Sequence, residues 1–301
     1  MHRIKAISLF LLVLLFASGC SRKPVLSPTA RFQMSIEAQM AFQNGQYSVA
    51  ANRYSTLYTL TGKRLHYAVE AAAAWAMAGE SGRAIQFLHR AIQGGYHDLN
   101  ELESRDAFST LKTTLEWNGI VNGVRENEKL YRQRINLTLY DLFQADQDDR
   151  RNLDWDALTD DQIKTWVMRD RQRMMATDSV LLADSSRLTS DDFFHAAIIF
   201  QHGPDSTWYH RANVLCQRAL ELNPDNEDAN WLYAASMDRY LHSVGKPQIY
   251  GTQRNFKNGI WTVEPFDTSA VTDDNRIEHG IPPLGFLRAQ VENSNRKSGN
   301  Q

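Results

Sequence analysis

The segment NGQYSVAANRYSTLYTL, residues 44–60, decides the fold because its pattern returns in AGESGRAIQFLHRAIQ, residues 78–93. When Gly45 is placed on Gly79, 34 residues later, Ala50 coincides with Ala84, Tyr54 with Leu88 and Leu57 with Ala91. Apolar residues recur in both segments at the spacing of one helix face. The repeated glycine allows a tight turn, and small residues at helix crossings let two backbones approach. The sequence therefore predicts two copies of a helix–turn–helix unit in a mainly α-helical protein.

This unit resembles the tetratricopeptide repeat, in which helical hairpins stack side by side. The resemblance covers residues 31–127, and residues 94–127 resemble the segment that closes a short array. It implies a concave groove that binds a protein or peptide partner. An unrelated helical bundle is the alternative, because the signature Trp and Pro are missing from several of their usual places. The aromatic residues of the array belong either to its core or to its groove: Tyr47, Tyr54, Tyr58 and Trp75.

The composition is that of a folded protein with one or two domains. The chain has 301 residues, of which 43% are apolar, enough for a packed core. Its formal net charge is −2, and the sequence has no basic face or stripe of the kind that binds nucleic acid. We therefore expect no nucleic-acid partner.

The N-terminal segment MHRIKAISLFLLVLLFASGC, residues 1–20, has the pattern of a secretory signal peptide. Its small residues followed by Cys20 resemble a bacterial lipobox, which implies cleavage after residue 19 and lipid on Cys20. Residues 20–30 would then be a lipidated tether that holds the protein on the membrane of the bacterial cell envelope. In a Gram-negative cell, Ser21 implies an outer-membrane position facing the periplasm. A plain secreted protein is the alternative.

The second cysteine of the chain is Cys216. It lies in ANVLCQRAL, on the apolar side of a predicted helix. We expect a buried and unreactive thiol, because a nucleophilic cysteine needs a base beside it.

Residues 128–291 are predicted to form a second helical domain. A long helix is predicted over 126–145, with Leu130, Leu137, Leu139, Leu142 and Phe143 facing inward. The acid-rich segment that follows, DQDDRRNLDWDALTDDQ at 146–162, is predicted to be a solvated loop ending in a capping box.

The end of the chain has a hairpin signal. Asn258 and Gly259 stand between β-prone residues, which predicts a β-hairpin within 253–266. A last short helix is expected before residue 292, and residues 292–301 are predicted to be a disordered tail.

Residues 134–289 resemble a bacterial family of unknown function. The resemblance rests on motifs that occur in one order: ADQDDRR (145–151), HAAIIFQHG (195–203), DRYLHSVGKPQIYGTQ (238–253), VEPFD (263–267), VTDDNR (271–276) and IPPL (281–284). It implies a fold but no established activity, so no catalytic residue is transferred from it.

Two interpretations of the polar motif residues stay open. In the structural one, Asp238 accepts hydrogen bonds from backbone N–H groups of the loop GKPQIYGTQ, and Arg239 holds a helix end. His195 and His202 are then satisfied core histidines. In the functional one, His202 is a general acid or base, Asp238 orients it, and Arg239 binds an anion or carbonyl group.

The functional interpretation adds ligand-binding candidates on both sides of a cleft. These are Gln201, Lys246, Gln248, Tyr250, Thr252 and Gln253 on one side, and Asp146, Asp149 and Arg150 on the other. No sequence motif of a metal site, a cofactor site or a known hydrolase is present, so neither metal nor cofactor is predicted. The sequence favours a lipid-anchored scaffold that binds a protein or another ligand. An envelope hydrolase built on His202, Asp238, Arg239 and Gln253 is the alternative.

Overall fold

The computed structural model describes residues 26–62, 64–151, 157–257 and 259–298, and these residues are mainly helical. The α-helices are α1 (Pro28–Gln43), α2 (Tyr47–Thr61), α3 (Leu65–Met77), α4 (Ser81–Gln93), α5 (Leu99–Ser104), α6 (Leu115–Arg134), α7 (Leu137–Arg151), α8 (Asp160–Ala183), α9 (Ser190–Gln201), α10 (Ser206–Leu222), α11 (Glu227–Ser243), α12 (Asp273–Glu278) and α13 (Leu284–Ser298). Strands β1 (Asn255–Lys257) and β2 (Ile260–Thr262) form an antiparallel hairpin. The predicted fold class, helical hairpins followed by a helical part with a small β-hairpin, is confirmed.

The first four helices pack in sequence as two antiparallel hairpins. Gly45 and Gly79 occupy equivalent turns with φ of 73° and 79°, a conformation that glycine adopts without steric cost. The alanines at the helix crossings are fully buried, as the repeat predicts: Ala38, Ala50, Ala72 and Ala84. Tyr54 and Trp75 are core residues, whereas Tyr47 and Tyr58 are half-buried.

Helices α5 and α6 close this array. Asn127 on α6 donates hydrogen bonds to the carbonyl oxygens of Ile92 (2.8 Å) and Tyr96 (3.0 Å), which satisfies backbone groups at the end of α4. Phe108 and Leu111, in the two 3₁₀ turns at Asp106–Phe108 and Leu111–Thr113, complete the core.

The predicted helix over 126–145 is wrong, because the chain breaks between α6 and α7. The Asn136 N–H donates to Asp192 Oδ1 (2.6 Å), and Asn136 Oδ1 accepts from the Leu139 N–H (3.1 Å), so Asn136 caps a new helix. The boundary predicted at 127/128 therefore falls inside α6. Of the residues predicted to face inward, Leu139 is fully buried and Leu142 and Phe143 are half-buried, whereas Leu130 and Leu137 are 48% and 45% exposed.

Helix α9 is the centre of the second half and packs against α7, α8, α10 and α11. Its start is fixed by a capping box between Thr189 and Asp192. Helices α10 and α11 form another antiparallel hairpin, and Cys216 on α10 is fully buried there, as expected. Burial raises the pKa of its thiol.

Helices α12 and α13 contact the start of α1. Thr29 donates from its N–H (3.1 Å) and its hydroxyl (2.6 Å) to Asp274 on α12, and the Phe32 ring meets the Phe286 ring edge-on. Helix α1 begins at Pro28, so the predicted tether at 20–30 is too long by three residues. The predicted disordered tail is also wrong for residues 292–298, because α13 continues to Ser298 and Val291 anchors it in the core.

The predicted signal peptide (1–19) and Cys20 lie outside the described residues. Among the helices of the described ranges, none has the length and apolar character needed to cross a bilayer.

Candidate functional site

Asp238 is the centre of a structural joint between α11 and the loop that follows it. Its carboxylate is fully buried and accepts the backbone N–H groups of residues 249, 250, 251 and 252 at 2.8–2.9 Å. The Thr252 hydroxyl adds a fifth hydrogen bond at 2.9 Å. One carboxylate thus replaces the partners that a strand would have given these backbone groups. The structural interpretation of Asp238 is confirmed.

Gln248 performs the same task for the other end of the loop. Its side-chain amide donates to the carbonyl oxygens of Gln253 (2.9 Å) and Val263, and its Oε1 accepts from the Gln253 N–H (2.9 Å). Gln248 is 1% exposed. The loop backbone is therefore satisfied by two side chains, and Gln248 is not available to a ligand.

Gly251 and Arg276 complete the joint. Gly251 has φ of 92°, and a Cβ at this position would lie 2.8 Å from Leu287 Cδ1. Arg276 is 2% exposed, donates to the Ile249 carbonyl (3.1 Å) and pairs with Asp273 (2.9 Å). Residues of three quoted motifs, DRYLHSVGKPQIYGTQ, VEPFD and VTDDNR, therefore contact one another in this joint.

His202 has a different carboxylate partner from the one predicted. It is the C-cap of α9, and its Nδ1 lies 3.0 Å and 3.2 Å from the two oxygens of Asp146 on α7. Asp238 is occupied by the loop and does not orient His202, so that part of the functional interpretation is wrong. His202 is also not a core histidine, because 21% of its side chain is exposed.

The Asp146–His202 pair fixes the state of the imidazole ring. Asp146 is 1% exposed, and its acceptor oxygens assign the proton to Nδ1 of the ring. Nε2 of His202 forms no hydrogen bond within the described residues and is not buried. The ring therefore offers Nε2 to solvent while Asp146 holds its orientation.

Asp146 belongs to a buried ion cluster between α7 and α8. Arg150 donates to Asp146 (2.8 Å) and Asp170 (2.7 Å), while Arg173 pairs with Asp149 (2.7 Å) and Asp170. The Arg150 guanidinium also stacks over the Trp166 ring, 4.8 Å from its centroid. The predicted acid-rich loop is therefore partly wrong, because residues 146–151 are helical and their inward side is saturated.

Arg239 lies beside this cluster without a carboxylate of its own. Its Nη1 donates to the Gln201 carbonyl at the end of α9 (2.7 Å), which confirms that it holds a helix end. Among the described residues it forms no ion pair; its guanidinium lies 5.6 Å from the centroid of the Tyr209 ring. Burial lowers the pKa of Arg239, and the nearby Arg150 charge lowers it further.

Gln201 and Gly203 shape the same corner. Gln201 is 7% exposed, and its Oε1 is a buried acceptor without a partner within the described residues. Such groups are uncommon in folded proteins. A Cβ at Gly203 would lie 2.3 Å from the Trp208 Cβ, so only glycine permits this close turn after His202.

The remaining candidates are divided between the joint and the surface. Tyr250 is buried, and burial raises its pKa to about 12. Gln253 is half-buried, and its Nε2 donates to the Thr252 hydroxyl oxygen (3.0 Å) and to the Ala235 carbonyl oxygen (3.5 Å). Ala235 lies one turn before Arg239 on α11. Lys246 is exposed in the turn after α11, away from these contacts.

Sequence reasoning missed two members of the ion cluster, Asp170 and Arg173. With Trp166 and Thr177 they follow the 3–4 residue spacing of one face of α8, and all four are at least half-buried. The signal available in the sequence was the recurrence of charged residues at this spacing on one face of a predicted helix.

His195 is a core residue apart from this site. Its Nε2 lies 3.3 Å from the Tyr131 hydroxyl, its ring stacks on Phe143, and its Nδ1 is buried without a partner in the described structure. Burial lowers its pKa to about 4, so the ring is neutral at physiological pH.

A family model matches part of the second half of the chain. Residues 150–295, just under half of the chain, match the model of a family described as a family of unknown function, DUF6624. The match begins at Arg150, so Asp146 and Asp149 lie outside it. No curated protein matches the sequence.

Two solved structures are similar to the chain at low level. The TPR2AB-domain:pHSP90 complex of yeast Sti1 is 15% identical, with a TM-score of 0.22 over 72% of this chain and 88% of that chain. The TPR domain of P58(IPK) is 15% identical, with a TM-score of 0.23 over 88% of this chain and 66% of that chain. Neither similarity indicates where a partner would bind here.

Proposed function

We propose that this chain is a lipid-anchored protein of the bacterial cell envelope that binds the anionic group of a ligand, a carboxylate or a phosphate, between His202 and Arg239. The observation that carries this proposal is the half-buried Arg239 guanidinium, which has no carboxylate partner among the residues that the structure describes. Its planar array of donors fits both kinds of anion.

The carboxylates described near Arg239 are already neutralised by other cations. The three carboxylates of the ion cluster, Asp146, Asp149 and Asp170, are already paired with Arg150 and Arg173. Arg239 uses one nitrogen for the Gln201 carbonyl, and its remaining N–H groups are unbonded and not buried. A bound carboxylate or phosphate would supply the counter-charge that the described residues do not provide.

His202 would contribute directly to the same ligand. His202 directly follows Gln201, whose carbonyl oxygen accepts a hydrogen bond from Arg239. The free Nε2 of His202 and the Arg239 guanidinium therefore both lie at the C-terminal end of α9. An N–H at Nε2 would donate a hydrogen bond to the anion while Nδ1 stays on Asp146.

An acid–base role of His202 is the second candidate, and the Asp146–His202 pair favours it. A buried carboxylate that orients a histidine with one free nitrogen is an arrangement that can abstract or donate a proton. This modifies the predicted hydrolase, with Asp146 in the place of Asp238. Turnover of activated carboxylic or phosphate esters by the parent, and its loss in His202→Asn, would support catalysis.

A polypeptide partner is also proposed for the helical array. A cavity of about 320 Å³ lies between the array and the second half, lined by Arg31, Arg64, His66, Glu227 and Asn230 among others. Arg64 pairs with Glu227 there at 2.9 Å. Copurification of a partner with the parent, and its loss in Arg31→Glu, would support this surface.

The anion proposal is tested by titration with inorganic phosphate and acetate, followed by NMR shifts. We expect Arg239→Gln to bind at least about 10-fold more weakly, since a charge-assisted hydrogen bond contributes about 1.5–3 kcal/mol. Arg171→Gln is the matched control, because Arg171 is exposed on α8 and also lacks a carboxylate partner in the described structure. Equal binding by Arg239→Gln and the parent would contradict the proposal.

The lipid anchor is tested separately in cells. Radiolabelled palmitate should enter the parent and should be absent from Cys20→Ser, which should also leave the membrane fraction. Label retained in Cys20→Ser would refute anchoring at this residue.

A further inference from the structure

The β1–β2 hairpin presents apolar side chains to solvent on both of its faces. Phe256 and Trp261 are directly opposite in the register, with ring centroids 4.9 Å apart, and they are 59% and 38% exposed. Ile260, on the other face, is 57% exposed. Large apolar side chains that are exposed side by side often mark a surface that contacts a partner or a membrane. The hairpin end has this property.

The hairpin is held firmly on α13. Asn295 accepts from the Trp261 N–H (2.7 Å) and donates to the Trp261 carbonyl (2.9 Å), so its side chain pairs with the outer edge of β2. The outer backbone of Trp261 is therefore occupied, which disfavours strand addition at this point. Its exposed side chains remain available.

Basic residues surround the hairpin. Within residues 254–264 and 288–296 there are four cations and two acids, and one acid, Glu264, is paired with Arg288. Arg254, Lys257 and Arg296 are exposed and form no ion pair within the described ranges. Exposed aromatic residues among unpaired cations are characteristic of surfaces that bind the headgroup region of an anionic membrane.

The predicted anchor lies within reach of the hairpin. From Cys20 to Leu26, the first described residue, six residues span at most about 22 Å. The start of α1 packs on α13 through Phe32 and Phe286, and Asn295 lies about 14 Å further along α13. A lipid on Cys20 would therefore allow the hairpin to reach the same membrane surface.

We propose that the hairpin end, Phe256, Ile260 and Trp261, inserts into the interface of the membrane that carries the Cys20 lipid. Arg254, Lys257 and Arg296 contact anionic headgroups around it. This inference rests on the lipid anchor of the proposed function. It gives the protein two membrane contacts and thereby a fixed orientation on the surface.

The test supplies the anchor chemically. The chain from Cys20 onward is coupled through that cysteine to maleimide lipid in vesicles of phosphatidylcholine and phosphatidylglycerol, while buried Cys216 stays unreactive. Brominated acyl chains in the vesicles quench tryptophan residues that enter the interface. We expect quenching in the parent, its loss in Trp261→Phe, and less quenching when phosphatidylglycerol is omitted.

Trp231→Phe is the matched control, because Trp231 is 43% exposed and lies on α11, away from the hairpin. It should keep the quenching of the parent. No quenching in the parent, or equal loss in both variants, would overturn the proposal. So would concentration-dependent dimerisation that disappears in Phe256→Ser, since the hairpin would then bind a second copy. Because the coupling is chemical, these results are independent of whether cells attach lipid to Cys20.

Discussion

Replacing Asp238 should release the loop 249–252 from the protein. In Asp238→Ala, four buried backbone N–H groups and one hydroxyl lose the acceptor that now binds them at 2.8–2.9 Å. A buried donor without a partner costs about 1–3 kcal/mol, so the loop cannot stay in place with all of them unpaired. We expect the loop to detach. The loss in the free energy of unfolding is then limited to the contribution of the docked loop.

That contribution sets the expected magnitude. Breaking a buried charged network by removing one partner typically costs about 3–5 kcal/mol, and we expect Asp238→Ala to lower the free energy of unfolding by this amount. Asp238→Asn should cost less, about 2–3 kcal/mol, because its Oδ1 still accepts from two N–H groups. Its NH₂ group would face the two remaining donors, Gly251 and Thr252, without bonding them.

Two measurements check this expectation. Urea denaturation gives the free energy of unfolding, and hydrogen exchange reports the amides of residues 249–252 directly. A loss of 3 kcal/mol corresponds to exchange about 100-fold faster. Glu221→Ala is the control, because its ion pair with Arg218 is more than half exposed and contributes little. A loss below about 1 kcal/mol in Asp238→Ala, with unchanged exchange, would refute the joint.

Three further changes test the packing and the charges. Burial lowers the pKa of His195 to about 4, so between pH 4 and 6.5 the unfolded chain binds more protons than the folded chain. The free energy of unfolding should therefore fall by about 1 kcal/mol from pH 7 to pH 5.5. His195→Phe should remove this dependence. Gly203→Ala should cost about 1–3 kcal/mol because its Cβ would overlap Trp208, whereas Gly119→Ala, in the open interior of α6, should stabilise by about 1 kcal/mol. Asp170→Ala should cost about 3–5 kcal/mol because it leaves two guanidinium groups of the buried cluster short of a partner.

Denaturation curves decide these cases as well. A parent and His195→Phe with the same pH dependence would show that another group titrates. A tolerated Gly203→Ala would mean that Trp208 can move. Asp161→Ala is the control for the cluster, since Asp161 is 93% exposed; an equal effect of Asp161→Ala and Asp170→Ala would show that burial of the charge is unimportant.

The helical array and the joint could be predicted to a useful degree from local patterns. Ala50 and Ala84 are crossing residues because a 34-residue period requires small side chains where helices meet. Asp238 could be assigned to the loop because a carboxylate on an apolar helix face must find donors, and the loop had unpaired N–H groups.

The candidate site could be predicted only in part, because it joins distant helices. His202 was expected beside Asp238, the acid of the nearest motif, but its partner is Asp146 from a segment predicted to be a solvated loop. Asp170 and Arg173 were missed for the same reason: a charged residue shows its periodicity in sequence but not the helix that will cover it.

The amino-acid sequence by itself determined the helical units, their glycine turns, the β-hairpin and the need of Asp238 for backbone donors. These are local properties, set by side-chain periodicity and by the hydrogen-bonding demand of the chain near each residue. Only the tertiary structure decided that α7 and α9 bring Asp146 to His202, and that Arg239 has no carboxylate partner within the described ranges. The pairing of charges depends on which helices pack together, and that is settled by the burial of the whole apolar surface.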